Sequence, residues 1–318
     1  MKYHRIRATS LFLGLALLTG LSHAEPINVV TSIKPLELLV RAVATEGTNV
    51  TTLVPAGSSP HTYHMRPSER RAMDEADLIF WVGPDMETFL TRILGGEDFE
   101  HRTHALSALA PSATTEVPHP NEHEGKDDAH QEEQDTDGDH DGHEHGDGED
   151  PHIWLDPALA MQMAATIHDR LAEQPGADKS QLKQNLDAFR QALGTREDAI
   201  RQQLKAAEGI SLFTYHDAFG RFAAHYGLAI AGVLTPSPER SPGARHVAEV
   251  QNTLKASSQP CLLIEPQFDR DWWRAITEGV EARLSTWDPL ASDITADADG
   301  YLNFQQQLAD AVMACLPG

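Results

Sequence analysis

The sequence predicts an α/β protein with two lobes, each a parallel sheet covered by helices, joined by one long rigid helix. Short β-branched segments alternate with helical periodicity in both halves of the chain, which is typical of parallel sheets. Between the halves, an apolar stripe at helical spacing continues over 178–208, farther than one small lobe requires. The 318 residues, 40% of them apolar, are enough for two hydrophobic cores.

The first lobe is predicted to span 25–177 and to alternate strand with helix. Its strands are rich in Val, Ile and aromatic residues, and Pro35 and Pro67 stand where helices begin. The predicted elements are strands at Ile27–Ile33, Val50–Val54 and Asp77–Val82, and helices at Pro35–Ala44, Pro67–Ala76, Met86–Leu94 and Pro157–Glu173.

The linking helix is predicted over 178–208, and the second lobe over 209–318. A helix of that length extends about 45 Å, which suits a strut between lobes. Two open α/β lobes place a ligand crevice at the carboxyl ends of their strands. The second lobe has predicted strands at Ile210–Thr214, Leu228–Leu234 and Cys261–Ile264, and helices at Ala218–His225, Gly243–Lys255, Arg270–Val280 and Phe304–Leu316.

The N-terminal segment 1–24 has the pattern of a secretory signal peptide. Three basic residues precede an apolar run over 11–21, and Ser22 and Ala24 follow it. The run is too short to span a bilayer of about 30 Å. The segment has no cysteine for a lipid anchor, so the mature protein is expected to begin near Glu25 and to reside in the periplasm.

Cys261 and Cys315 are the two cysteines of the chain. In an oxidising compartment they most simply form a disulfide with each other. The alternative is two unrelated buried thiols. A metal site built on these cysteines is disfavoured, because neither has a second ligand at the usual spacing.

The charge of the chain is concentrated in 116–150. The whole chain has 48 acidic and 25 basic residues, which argues against a nucleic-acid partner. The segment 116–150 holds 15 acidic residues, one Lys and six His, and is predicted to be disordered. It is either a flexible tract that collects metal weakly or a solvating segment. Its candidate auxiliary ligands are His119, His123, His130, His140, His143 and His145.

Three histidines occupy predicted crevice positions. His61 and His216 follow strands, and His152 lies where the chain resumes order after the acidic segment. One such histidine is more often structural, but three converging imidazoles form a ligand set typical of zinc. His64 is close enough to His61 in sequence to be an auxiliary candidate.

Several motifs of this chain resemble the metal-binding solute-binding proteins of ABC importers, and among them the high-affinity zinc-binding ZnuA type. They are PHTYHMRP, DPHIWLDP, YHDAFGRF, EPQF at 265–268 and DPL at 288–290. The resemblance covers nearly all of the mature chain. It implies two Rossmann-like lobes joined by one long helix, with the metal between them. It also implies His61, His152 and His216 as ligands, and Asp288 matches a carboxylate that the manganese branch uses.

The chain departs from this family at one position beside the site. Many zinc-branch members have an acidic residue immediately before the first histidine, whereas this chain has Pro60. Asp288 or a water must therefore supply the fourth ligand. Three imidazoles still favour Zn²⁺ over Mn²⁺, which prefers oxygen-rich sites.

The expected function is periplasmic capture of Zn²⁺ in an interlobe cleft and delivery to the membrane permease of an ABC importer. A periplasmic zinc chaperone is a second candidate partner, and a monomer is expected. One alternative is a secreted zinc hydrolase with Asp217 or Glu265 as base, although the sequence contains neither an HExxH motif nor a nucleophile elbow. The others are a manganese-binding protein of the same fold and a metal-dependent adhesin or buffer.

Overall fold

The structure is a computed structural model that describes residues 25–109, 150–235, 238, 241–269 and 271–317. The strands are β1 (Ile27–Thr31), β2 (Thr48–Thr52), β3 (Leu78–Trp81), β4 (Thr103–Ala105), β5 (Ser211–His216), β6 (Ile230–Thr235), β7 (Pro260–Ile264) and β8 (Arg283–Thr286). The helices are α1 (Lys34–Val43), α2 (Pro67–Asp74), α3 (Thr88–Leu94), α4 (Glu97–Glu100), α5 (Pro157–Ala172), α6 (Lys179–Leu204), α7 (Gly220–Tyr226), α8 (Ala244–Ala256), α9 (Asp271–Ile276) and α10 (Gly300–Met313).

The strands form two four-stranded sheets with the same topology. The first has the order β2-β1-β3-β4 and the second β6-β5-β7-β8. The pairings within both sheets are parallel. Each sheet is therefore of the doubly wound type, and the predicted α/β class with two lobes is confirmed. The carboxyl ends of the strands carry the loops that hold the candidate ligands.

The two sheets are connected by more than the predicted single strut. Helix α6 packs against α1, α5 and α10, and α1 also contacts α10. One continuous apolar core includes Leu38 of α1, Phe189 of α6 and Phe304 of α10. Gly300 permits this packing, because a Cβ there would lie 2.8 Å from Leu38 Cδ2. A shared core of this kind restricts large hinge motion between the lobes.

Buried polar contacts also cross between the lobes. Trp154 Nε1 donates a hydrogen bond of 2.7 Å to the Pro289 carbonyl oxygen. On α7, His225 binds Asp156, the N-cap of α5, at 3.1 Å and Glu197 of α6 at 2.8 Å. The hydrogen bond to Asp156 and the charge of both carboxylates raise the pKa of His225 above its usual value, despite partial burial. His225 therefore connects three elements, α5, α6 and α7.

The sequence missed or displaced several element boundaries. The edge strands β4 and β8 and the short helix α4 were not predicted. The predicted helix Arg270–Val280 is α9, which ends at Ile276, and Gly279 adopts φ +77°, a conformation that a right-handed helix does not contain. Helix α10 begins at Gly300 and ends at Met313. Both ends lie about one turn earlier in the sequence than those of the predicted helix, Phe304–Leu316.

The predicted disulfide between Cys261 and Cys315 is confirmed. Their Cα atoms are 5.7 Å apart, and the bond joins β7 to the end of the chain beyond α10. Both residues are almost fully buried. The bond therefore ties the central part of the second sheet to the helices between the sheets.

Two sequence predictions lie outside the described residues. They are the signal peptide 1–24 and the histidine tract, of which only Asp150 at its end is described. Across the described ranges, no helix has both the length and the apolar character needed to cross a bilayer.

Candidate metal centre

A strand end, a loop and the start of a 3-10 turn bring the three predicted histidines together. His216 is the last residue of β5, His61 lies in the loop after β2, and His152 precedes a 3-10 turn that leads into α5. His152 and His216 are 5% and 4% exposed, and His61 is partly buried. Each sheet thus contributes to one buried cluster, as the sequence predicted.

The three imidazoles face one another through their Nε2 atoms. His152 Nε2 lies 3.4 Å from His61 Nε2 and 3.3 Å from His216 Nε2. One ligand atom from each ring lies within 4.8 Å of the other two. A tetrahedral zinc ion with Zn–N bonds of about 2.0–2.1 Å separates its ligand atoms by about 3.3–3.4 Å. The spacing of the nitrogens therefore suits a small tetrahedral ion.

Carboxylates behind two of the rings fix which nitrogen faces the cluster. His152 Nδ1 donates to Asp150 Oδ1 at 2.7 Å, and His216 Nδ1 donates to Glu265 Oε1 at 2.8 Å. A carboxylate only accepts, so each Nδ1 carries the proton and each Nε2 presents a lone pair. This arrangement is typical of histidines that bind metals.

The electrostatics of the three-histidine cluster favour the binding of a cation. Burial, and then the charge of His152 and His216 when protonated, lower the pKa of His61 to about 3. His61 is therefore neutral, and able to bind metal, throughout the physiological pH range. Glu265 is 3% exposed, and its Oε2 has no hydrogen-bond partner among the described residues. A divalent ion nearby would offset this buried negative charge.

The cavity beside the histidines is small and mostly apolar. Its volume is about 10 Å³, which is roughly the space of one ion or one water. Met86, Trp154, Phe268 and Leu290 contribute apolar walls. Gln267 also lines it, and its Oε1 is buried without a hydrogen-bond partner in the described chain. The centre can thus exclude bulk water and leave room for one small ligand besides the histidines.

Asp288 and His64 are not members of the three-histidine group. Asp288 Oδ1 accepts from Gln267 Nε2 at 2.7 Å and from Leu290 N at 3.0 Å, and its Oδ2 accepts from Ser292 N at 2.6 Å. The carboxylate thus holds the turn after β8. His64 is exposed. Roles for Asp288 and His64 in metal binding remain predictions.

Sequence reasoning did not identify the supporting role of Asp150 and Glu265. Asp150 falls within the predicted acidic segment, and the sequence offers Glu265 as part of the EPQF motif and as a candidate base. Burial alone raises the pKa of Asp150, but its hydrogen bonds with His152 and the charges of His152 and Arg221 outweigh burial and lower it. An available signal was the Asp150-Pro-His152 spacing, because an acidic side chain two residues before a histidine can reach its Nδ1.

Two parallel-sheet lobes with a three-histidine cluster between them define a metal-binding protein of the two-lobed solute-binding class. More specifically, the chain belongs to the ZnuA family, described as "Zinc-uptake complex component A periplasmic", whose family model matches residues 29–315. This confirms the family that the sequence motifs indicated.

Individual relatives agree with this family. The high-affinity zinc uptake system protein ZnuA of Yersinia pestis is 38% identical over 308 residues, covering 94% of this chain and 96% of that protein. A crystal structure of ZnuA matches with a TM-score of 0.68 at 22% identity, covering 91% of this chain and 100% of that chain. The periplasmic zinc-binding protein TroA from Treponema pallidum matches with a TM-score of 0.69 at 18% identity, covering 91% and 99%.

Proposed function

We propose that this chain captures Zn²⁺ between its two lobes and delivers it to the membrane permease of an ABC importer. The observation that supports this most directly is the distance of His152 Nε2 from His61 Nε2, 3.4 Å, and from His216 Nε2, 3.3 Å. Both distances match the separation of two ligand atoms around a tetrahedral zinc ion. Membership of a zinc-uptake family supports the same metal and the same transport role. Delivery requires only the exchange of metal–ligand bonds and no covalent chemistry.

The ligand types favour zinc over manganese. Manganese prefers six oxygen-rich ligands, whereas this cluster offers three imidazole nitrogens in a cavity of about 10 Å³. The hydrolase alternative requires space for an ester or peptide beside the metal, and the cavity beside the histidines is small, about 10 Å³. Glu265, one of the two bases considered for it, is bound to His216 Nδ1 rather than directed at an open metal position.

We infer that the chain works in the periplasm and partners the permease there. The signal-like pattern of 1–24 and the family description support this location. The relative from Yersinia pestis is itself named as part of a zinc uptake system. A zinc chaperone as second partner and a monomeric state remain proposals from the sequence, as do the lobe boundaries 25–177 and 209–318.

Complementation of a strain that lacks this protein tests the function. In zinc-depleted medium, we expect the natural chain to restore growth and the His216→Ala variant to fail, since β5 would no longer offer its ligand. Added zinc should restore growth of the strain that carries the variant, while added manganese should not. Equal growth with the variant, at equal protein levels, would contradict zinc uptake through this cluster.

A water is proposed as the fourth zinc ligand, with Asp288 as the alternative. The three hydrogen bonds that Asp288 accepts would have to break before it could rotate toward the metal. A bound water could instead donate to the unpartnered Oε1 of Gln267.

Asp288→Ala is therefore expected to weaken zinc binding by less than about 10-fold, well below the effect of losing a histidine. The expected loss reflects the turn that Asp288 holds and not a metal bond. Competition against a chelator measures the affinity, and the melting temperature of the metal-free variant measures damage to the turn. A loss equal to that of His216→Ala, with an unchanged melting temperature, would make Asp288 a direct ligand.

A further inference from the structure

We propose that Arg221 is a positioning residue that slows zinc release by holding Asp150, and through it His152, against the second lobe. The inference rests on the proposed function, because it concerns how long the same three-histidine centre retains its ion. Arg221 lies on α7, immediately after the β5 strand that ends in His216. It is therefore attached to the part of the chain that supplies the third ligand.

Arg221 contacts Asp150 at more than one atom. Its Nε donates to the Asp150 carbonyl oxygen at 2.8 Å, and its Nη2 donates to the same oxygen. Nε also lies 3.5 Å from Asp150 Oδ2. The guanidinium is planar and rigid, so several contacts to one residue define the position of that residue well.

Asp150 transmits this position to the ligand. Its Oδ1 accepts from His152 Nδ1 at 2.7 Å and from the His152 backbone N at 2.9 Å. Both the ring and the backbone of His152 are thus fixed by one carboxylate. Such hydrogen bonds from a ligand histidine to a carboxylate orient the ring and strengthen the metal bond.

Asp150 lies beside the first turn of α7. A Cβ placed on Gly220 would be 3.6 Å from Asp150 Oδ2, an ordinary van der Waals distance, so the carboxylate lies directly against the helix that carries Arg221. The side chains of Arg221 and Asp150 are only 19% and 28% exposed, so solvent screens this pair less than a surface ion pair.

Release of the ion requires His152 and His216 to separate. Motion of β5 and α7 away from 150–155 would break the zinc bonds and the Arg221 contacts together. Glu265 supports His216 differently, since β5 and β7 are neighbours in one sheet and move together. Arg221 thus opposes separation of the ligands, together with the contacts of Trp154 with Pro289 and of His225 with Asp156, and it alone of the three holds the carboxylate bound to His152. Glu265 only orients one ring.

The test is the rate of zinc dissociation from the full-length protein, followed after mixing with excess chelator. We expect Arg221→Gln to raise this rate by about 10-fold or more, within the range known for supporting contacts at metal sites. The association rate should stay within about 2-fold, because the three ligands remain. Arg221→Lys should recover part of the slow release, since Lys offers one donor group in place of the fork.

Arg274→Gln is the matched control. Arg274 also lies on a helix of the second lobe and pairs with an aspartate, Asp271 at 2.9 Å, but its side chain is 83% exposed. Its dissociation rate should equal that of the natural protein. The absorption spectrum of the Co²⁺-loaded Arg221→Gln protein should keep its tetrahedral form, which shows that the ligand set survives.

A dissociation rate for Arg221→Gln and Arg221→Lys within 2-fold of the natural protein would overturn the inference. Loss of the tetrahedral Co²⁺ spectrum in both variants would also overturn it, because Arg221 would then be needed to assemble the site and not to delay release. Failure of the natural protein to bind one Zn²⁺ through its histidines would instead refute the proposed function, so the two failures are distinguishable.

Discussion

Replacing His152 with Ala is expected to weaken zinc binding by more than 100-fold. The Nε2 of His152 is the atom that lies 3.4 and 3.3 Å from the other two ligand atoms, so its loss leaves two imidazoles without a third. Structural zinc sites with four protein ligands are stabilised by about 10–16 kcal/mol, or roughly 3 kcal/mol for each ligand, and a site with three protein ligands loses at least a comparable share with one of them. Competition against a chelator of known affinity measures the change.

Variants at the other two positions should behave alike, and a fourth histidine provides the control. His61→Ala and His216→Ala are each expected to lose more than 100-fold, for the same reason. His246 lies on α8 with 47% of its side chain exposed, and His246→Ala should bind zinc as the natural protein does. If His152→Ala kept its affinity while remaining folded, the assignment of His152 as a ligand would be wrong.

Removing the disulfide should have the largest effect on stability. The double variant Cys261→Ala, Cys315→Ala is expected to lose about 4 kcal/mol of unfolding free energy, because the bond closes a loop with a sequence separation of 54. Denaturant unfolding of the metal-free protein measures this loss. Alanine is preferred to serine, since both sites are buried and a hydroxyl would require a new partner.

Reduction of the natural protein is the control for this variant. It should lower the stability by a similar amount, and the reduced mass should be two units higher than the oxidised mass. Reduction should leave the variant itself unchanged. Two thiols that react freely with an alkylating reagent in the native, unreduced protein would contradict the bond.

The parts of the fold predicted from sequence are those with strong local patterns. The linking helix α6 has an apolar stripe over many turns, and its observed range of Lys179–Leu204 lies within the predicted 178–208. Strands β4 and β8, with three and four residues, have no periodicity to detect and form only because β3 and β7 offer free edges. The packing of α10 on α1 depends on residues far apart in sequence, such as Gly300 and Leu38.

The residues of the site also fall into those that the sequence pattern predicts and those that it does not. His61 and His216 were predicted because strand ends in parallel sheets point to a shared crevice, and His152 because it lies where the chain resumes order after the acidic segment. The contacts of Asp288 with Leu290 N and Ser292 N depend on the shape of one turn, which the composition does not specify. The contact between Arg221 and Asp150 joins residues 71 positions apart, so sequence spacing gave no sign of it.

The shared core between the lobes bears on how zinc leaves. Hinged binding proteins close over a ligand by large rotations. Here α1, α5, α6 and α10 pack together across both sheets, which limits such rotations. Release is then expected from small movements of the ligand loops, and the permease would act by separating His216 from His61 and His152.

X-ray absorption at the zinc edge, on protein loaded with one equivalent of Zn²⁺, tests the central claim most directly. That claim is that three imidazoles, donated from both lobes, hold one zinc ion with a water in the fourth position. The spectrum should show three imidazole nitrogens and one further light atom at about 2.0–2.1 Å, and His152→Ala should lose one imidazole. A six-coordinate shell dominated by oxygen, or a spectrum that His152→Ala leaves unchanged, would contradict the account.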